Sequence, residues 1–169
     1  MKPRLAVFAA LAPLVLLGVG VSSAKHPATA PAGPSSHVML DADSLKWGDA
    51  PPSLPKGVQM VVLSGNPDKA APFTLRLKAP AGYKVGLHWH PSVERVTVLE
   101  GDFHLQMGNG AAAHSHAFAP GGYAVLPARM QHAASTQGGA IVQIDSMGPF
   151  AIHYVDPKDD PRTATASRH

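Results

Sequence analysis

The residues with chemistry to offer gather in one stretch, Gly82 to Gly101, GYKVGLHWHPSVERVTVLEG. His88 and His90 stand two apart, and a strand points alternate side chains to one face, so both imidazoles would face the same way and Trp89 the opposite way. Pro91-Ser92 interrupts the ladder, and the apolar-rich run from Glu94 to Glu100 resumes as a second strand that can bring the Glu94 carboxylate back toward the two rings. A further histidine, His132, follows the strand-like Tyr123-Ala124-Val125-Leu126 and its terminator Pro127. Neutral imidazoles and a carboxylate suit one divalent transition ion: manganese, iron, nickel, copper or zinc. With His88, His90, Glu94 and His132 as ligands, a six-coordinate ion keeps two positions open for chemistry.

These positions carry a resemblance. Gly82-x5-His88-x-His90-x3-Glu94-x6-Gly101 resembles the first cupin motif at each fixed position, and Gly121-x5-Pro127-x4-His132 resembles the second. Arg129 stands where the family usually has glycine and Thr136 where it usually has asparagine, departures that bear on the local turns more than on the metal. The twenty-residue step from Gly101 to Gly121 is typical of small bacterial cupins. The Trp47 region, the Gly148-Pro149-Phe150 pattern with Ile152 and Tyr154, and the ending Asp156 to Arg162 are similar to a group of small exported single-domain members. The resemblance implies an all-β fold, a single cupin-type β-barrel of the jelly-roll or double-stranded β-helix kind.

The elements that must position the site read accordingly. Residues 57–63 form a strand, 64–68 a turn, and Phe73 to Lys78 a strand with clean apolar/polar alternation. Phe103, Leu105 and Met107 alternate with His104 and Gln106 before the turn at Gly108-Asn109-Gly110. His104 falls on the outer face. His114-Ser115-His116 forms a second His-x-His pair, but no carboxylate frames it, so it reads as a solvated loop or strand edge. Residues 140–145 form another strand, whose Gln143 either points into the barrel as a substrate contact or lies outside, half exposed. Residues 148–155 read as the closing strand, and Trp47 as a packing residue first, with closing one end of the barrel as the alternative. No convincing helix follows residue 24, and internal repeats are absent.

The chain has 169 residues, 45% hydrophobic and 15% charged, enough for one domain with a core. Residues 1–24 read as a secretory signal peptide: basic Lys2 and Arg4, apolar Leu5 to Val21, then small Ser22-Ser23-Ala24. Residues 25–37 read as a flexible Pro/Ala-rich linker, 38–162 as the barrel domain and 163–169 as a disordered tail. The formal charge is +3, and setting Lys2 and Arg4 aside leaves 12 basic residues against 11 acidic. Nucleic acid is therefore not an expected partner, nor is a membrane once the signal is cleaved. Cysteine is absent, which excludes thiolate ligands and thiol nucleophiles and needs no disulfides outside the cell. A periplasmic or secreted location follows.

Two function classes are consistent with this reading. As an enzyme, the chain would be a metal-dependent, dioxygenase-like oxidoreductase or a Lewis-acid enzyme acting on a small oxygen-rich substrate, with Glu94 lowering the charge of the site. His153, Tyr154 and Arg129 are the candidates for proton transfer, each with a structural role as the alternative. As a non-catalytic module, it would bind or sense a metal or small molecule around a structural zinc, as the similarity of the first motif to the cupin domain of a zinc-binding anti-sigma factor suggests. A small-molecule barrel with a stabilising metal predicts a dry cavity with few polar groups near the ion. The resemblance allows a homodimer by strand exchange or sheet packing, and no pattern here selects it. There is no nucleophile elbow, phosphate-binding loop or His-Glu-x-x-His helix.

Overall fold

Short runs rich in β-branched and aromatic residues, punctuated by Gly and Pro, fold into strands throughout residues 37–166, the part of the chain described in the computed structural model. In order they are β1 (Gly48–Asp49), β2 (Gln59–Ser64), β3 (Pro72–Ala79), β4 (Lys84–Trp89), β5 (Glu94–Gly101) and β6 (Phe103–Met107). Then come β7 (His114–Phe118), β8 (Tyr123–Leu126), β9 (His132–Ser135), β10 (Ala140–Met147) and β11 (His153–Tyr154). They make two antiparallel sheets, ordered β1-β2-β3-β10-β5-β8 and β11-β4-β9-β6-β7. The expected jelly-roll fold is what forms, although the two sheets do not close into one hydrogen-bonded barrel.

Period-two burial explains the interior. β5 buries Glu94, Val96 and Val98, and β10 buries Ala140, Val142, Ile144 and Ser146. Val96, Val98, Leu126 and Val142 of one sheet meet Leu105 of the other in the main core cluster. Each such side chain removed from water contributes roughly 1.5–3 kcal/mol. Gln143 falls on the opposite register, outward and half-buried, where its Oε1 accepts from Arg76 Nε at 3.2 Å and its Nε2 donates to Asp145 at 3.2 Å. The substrate-contact alternative for Gln143 is thereby removed.

Two local devices aim the metal-ligand candidates. The β4–β9 register slips between Val85 and His88, and this bulge turns both Val85 and His88 inward although three positions separate them. At the β5–β6 corner, Gly101 adopts φ +78°, and a Cβ there would overlap the Gly139 carbonyl oxygen. Asp102 then accepts the Gln137 and Gly138 amides, both at 2.7 Å, tying this corner to the loop after β9. Those bonds hold the Asp102 carboxyl below its usual value.

Three expectations need correction. Trp47 is half-buried on the outer side of the first sheet, with Lys78 Nζ 5.9 Å from its ring, and it does not line the interior cavity. The closing strand shrinks to His153–Tyr154, because Gly148 and Pro149 keep the preceding residues irregular. Pro161–Ala166 forms a short helix, α1, where none was expected: Pro161 presets its first turn, and Asp160 just before it accepts from the Arg162 backbone N–H. The expected tail boundary at 163 falls inside α1. The signal peptide and nearly all of the linker lie outside the described residues.

Candidate metal centre

Each expected ligand sits where its strand delivers it. His88 is on β4 and pairs directly across from His132, the first residue of β9. His90 lies just past the end of β4, and Glu94 opens β5 in the other sheet. All four are buried, between 3% and 6% exposed. One ligand atom from each of His88, His90 and His132 falls within 4.8 Å of the other two. Glu94 Oε2 approaches from the facing sheet, 3.2 Å from His132 Nε2 and 3.7 Å from His90 Nε2.

The chain fixes how those rings present their lone pairs. His88 Nδ1 bonds the Gly86 carbonyl at 2.7 Å, His90 Nδ1 the Ala151 carbonyl at 2.8 Å, and His132 Nδ1 the Met130 carbonyl at 3.0 Å. A carbonyl only accepts, so each Nδ1 carries the hydrogen, and in its neutral form each ring turns an unprotonated Nε2 to the centre. Burial, then the neighbouring His132 and His90 rings, push His88 down to about 3, and burial also lowers His90.

The result is a cluster of acceptors with no donor among them. Glu94 Oε2 is buried without a hydrogen-bond partner, because the near Nε2 atoms hold lone pairs and not hydrogens. A buried carboxylate oxygen left so is costly unless a cation sits beside it. The donor set therefore fits a divalent ion with nitrogen and oxygen preferences, and the carbonyls behind each Nδ1 are the outer partners that orient metal-binding imidazoles. The three histidines could hold such an ion.

The centre opens onto a cavity of about 520 Å³ between the sheets. Its wall is mainly Leu75, Leu77, Val96, Phe103, Leu105 and Val142, with exposed Pro51, Asn66 and Asp68 at the rim. Tyr83 belongs to this wall, but its hydroxyl donates to the Pro55 carbonyl at 2.8 Å and burial raises its pKa. None of the three proton-transfer candidates lines the cavity. Tyr154 donates to the Ser53 carbonyl at 2.9 Å and is pushed up to about 12, by burial first and then Asp160. His153 stacks on Trp89 outside, with ring centroids 4.1 Å apart, and Arg129 covers the same indole at 5.4 Å.

Both departures in the second motif are absorbed. Arg129 takes φ +65°, the left-handed conformation a glycine would take there, while its N–H donates to the His90 carbonyl at 2.8 Å. Thr136 is buried and its Oγ1 accepts from Gly139 N at 2.9 Å, supplying the turn bond. His114 and His116 lie exposed on the edge strand β7, away from the cavity wall, and His104 pairs with Asp102 at 3.3 Å outside. One contributor went unread: Phe150 stacks on the His90 ring, centroids 4.2 Å apart at 12°. The Gly-Pro-Phe pattern was its only sequence signal.

A family model described as "Domain of unknown function (DUF4437)" matches residues 20–153. Among curated proteins, none matches the sequence. Several solved structures share the architecture. The polyketide cyclase RemF from Streptomyces resistomycificus is 16% identical, with a TM-score of 0.64 over 78% of this chain and 94% of its own. The DMSP lyase DddQ from Ruegeria pomeroyi DSS-3 is 17% identical, with a TM-score of 0.56 over 72% of each chain. An RmlC-like cupin from Shewanella frigidimarina NCIMB 400 is 17% identical, with a TM-score of 0.53 over 68% of this chain and 94% of its own. At such identities the likeness speaks for the fold alone.

Proposed function

The chain belongs to the DUF4437 family and has the cupin fold, and from that premise we propose an exported metal-dependent enzyme with His88, His90, Glu94 and His132 as ligands. The observation that carries this reading is the convergence of three Nδ1-anchored imidazoles and an orphaned carboxylate oxygen at the wall of a cavity. A divalent ion held there would supply Lewis acidity and, if redox-active, dioxygenase-like chemistry. The chain's own part is to hold the rings by their carbonyl partners, to contribute one negative charge through Glu94, and to exclude water with an apolar wall. Solved relatives of this fold named as a cyclase and a lyase are compatible with an enzyme. Export to the periplasm or outside the cell rests on Lys2, Arg4, the apolar run Leu5 to Val21 and Ser22-Ser23-Ala24.

One observation favours the alternative, a binding or sensing barrel around a structural zinc. The Tyr83 and Tyr154 hydroxyls are committed to backbone carbonyls, which leaves neither phenol available as a proton shuttle. Elemental analysis of untagged mature protein and of His88→Ala separates the two readings. About one equivalent of manganese, iron, nickel or copper that vanishes in the variant supports the enzyme, and oxygen consumption is then screened. Stoichiometric zinc moves the balance to the binding module, and unchanged metal in the variant overturns the ligand set.

A further inference from the structure

We infer that the cavity takes a ligand with a singly charged, bidentate oxygen head at the metal and an uncharged apolar body. This deepens the metal-centre reading above and rests on it. Among the described residues no lysine or arginine lines the cavity, and its acidic members are Glu94, committed to the centre, and Asp68 at the exposed rim. The wall holds few free hydrogen-bonding groups, chiefly the Ser53 and Ser135 hydroxyls, because the others are engaged already. Asn66 Oδ1 accepts from Asp68 N, Tyr83 donates to Pro55, and Thr136 Oγ1 accepts from Gly139 N.

Charge and shape then select the ligand. Three neutral imidazoles, one carboxylate and a divalent ion leave a single positive charge, which a monoanionic head closes. A second carboxylate further along the ligand would be stripped of water against Leu75, Leu77 and Val142 with no cation to meet it. A polyol would lose its hydration with few free donors or acceptors in return. The volume of about 520 Å³ leaves room for a ring or branched chain beyond the head, within the roughly 300–1,000 Å³ usual for ligand sites. The oxygen-rich substrate expected from the sequence is thus narrowed to one whose oxygens are confined to the end that meets the metal.

A matched set of hydroxamic acids tests this, because the metal-binding head stays constant while the body changes. Untagged mature protein with its metal content measured is titrated calorimetrically with acetohydroxamic acid, benzohydroxamic acid and the para-carboxylate of the latter. Metal retention is checked after each titration. Benzohydroxamic acid is expected to bind at least about tenfold tighter than acetohydroxamic acid, and the added carboxylate to erase that gain. Metal present with equal affinities, or with the carboxylate analogue tightest, overturns the inference and leaves the metal centre standing. Failure of the wild-type chain to take up metal overturns both.

Discussion

Glu94 Oε2 is the most informative single atom in the molecule. It is buried, has no hydrogen-bond partner and is faced by imidazole lone pairs, so a carboxylate is stable there only beside a cation. Glu94→Gln preserves shape while removing the charge, and is expected to weaken metal binding at least about tenfold in chelator competition. An unchanged affinity would remove Glu94 from the ligand set. His88 supplies a second test, in the metal-free protein. Its folded-state pKa of about 3 lies below the unfolded 6.5, so the unfolded chain takes up a proton that the folded chain refuses. The stability that depends on a neutral His88 is whole above pH 6.5 and drains away as pH falls toward 3, by up to about 1.4 kcal/mol per pH unit. His90, also lowered by burial, acts in the same direction. Melting temperature in chelator should therefore fall steadily from neutral pH to pH 5, and a flat profile would contradict the buried neutral rings.

Strand corners carry the next prediction. Gly101→Ala requires an unfavourable φ of +78° and drives a methyl into the Gly139 carbonyl, so it is expected to cost more than about 1 kcal/mol in denaturant unfolding. Nineteen positions away, Gly82→Ala meets nothing within 4 Å and suffers only the φ penalty, which makes it the milder control. Such corners also explain what was legible in the sequence. Alternation in β3 and β6 announced both the strands and their inward faces, whereas the more uniformly apolar β5 and β10 announced strands without saying which side of Gln143 faced in. The two-residue spacing of His88 and His90, with Trp89 turned away, emerged as read. The slip between Val85 and His88 was invisible, because a bulge depends on the partner strand and not on local pattern. At Arg129 the family's glycine position pointed to a turn, but not that its guanidinium would cover the Trp89 indole while the backbone takes φ +65°. Likewise α1 is too short for a periodic signal to develop.

At the scale of the molecule, the centre joins sheets that share no hydrogen-bonded edge: His88 and His132 come from one, Glu94 from the other. An ion bound by both sides couples metal affinity to the stability of the whole sandwich. At a metal concentration about a hundredfold above Kd, linkage contributes about 2.7 kcal/mol, so chelation should lower Tm by roughly 8–15 °C. A melting temperature indifferent to chelator would mean that the sheets hold together without it. Among the described residues, no helix is long and apolar enough to cross a membrane. Gly86 draws a last consequence from its missing side chain. A Cβ there would lie 2.6 Å from Asp159 Cγ, so the turn Pro157–Asp159 sits in the notch that Gly86 leaves on β4, two residues from His88. Arg162 reaches back to the Ile152 carbonyl at 3.2 Å and keeps that turn seated. The end of the chain thereby packs as a latch on the strand that presents His88, so that residues which never touch the centre would govern how long an ion stays there.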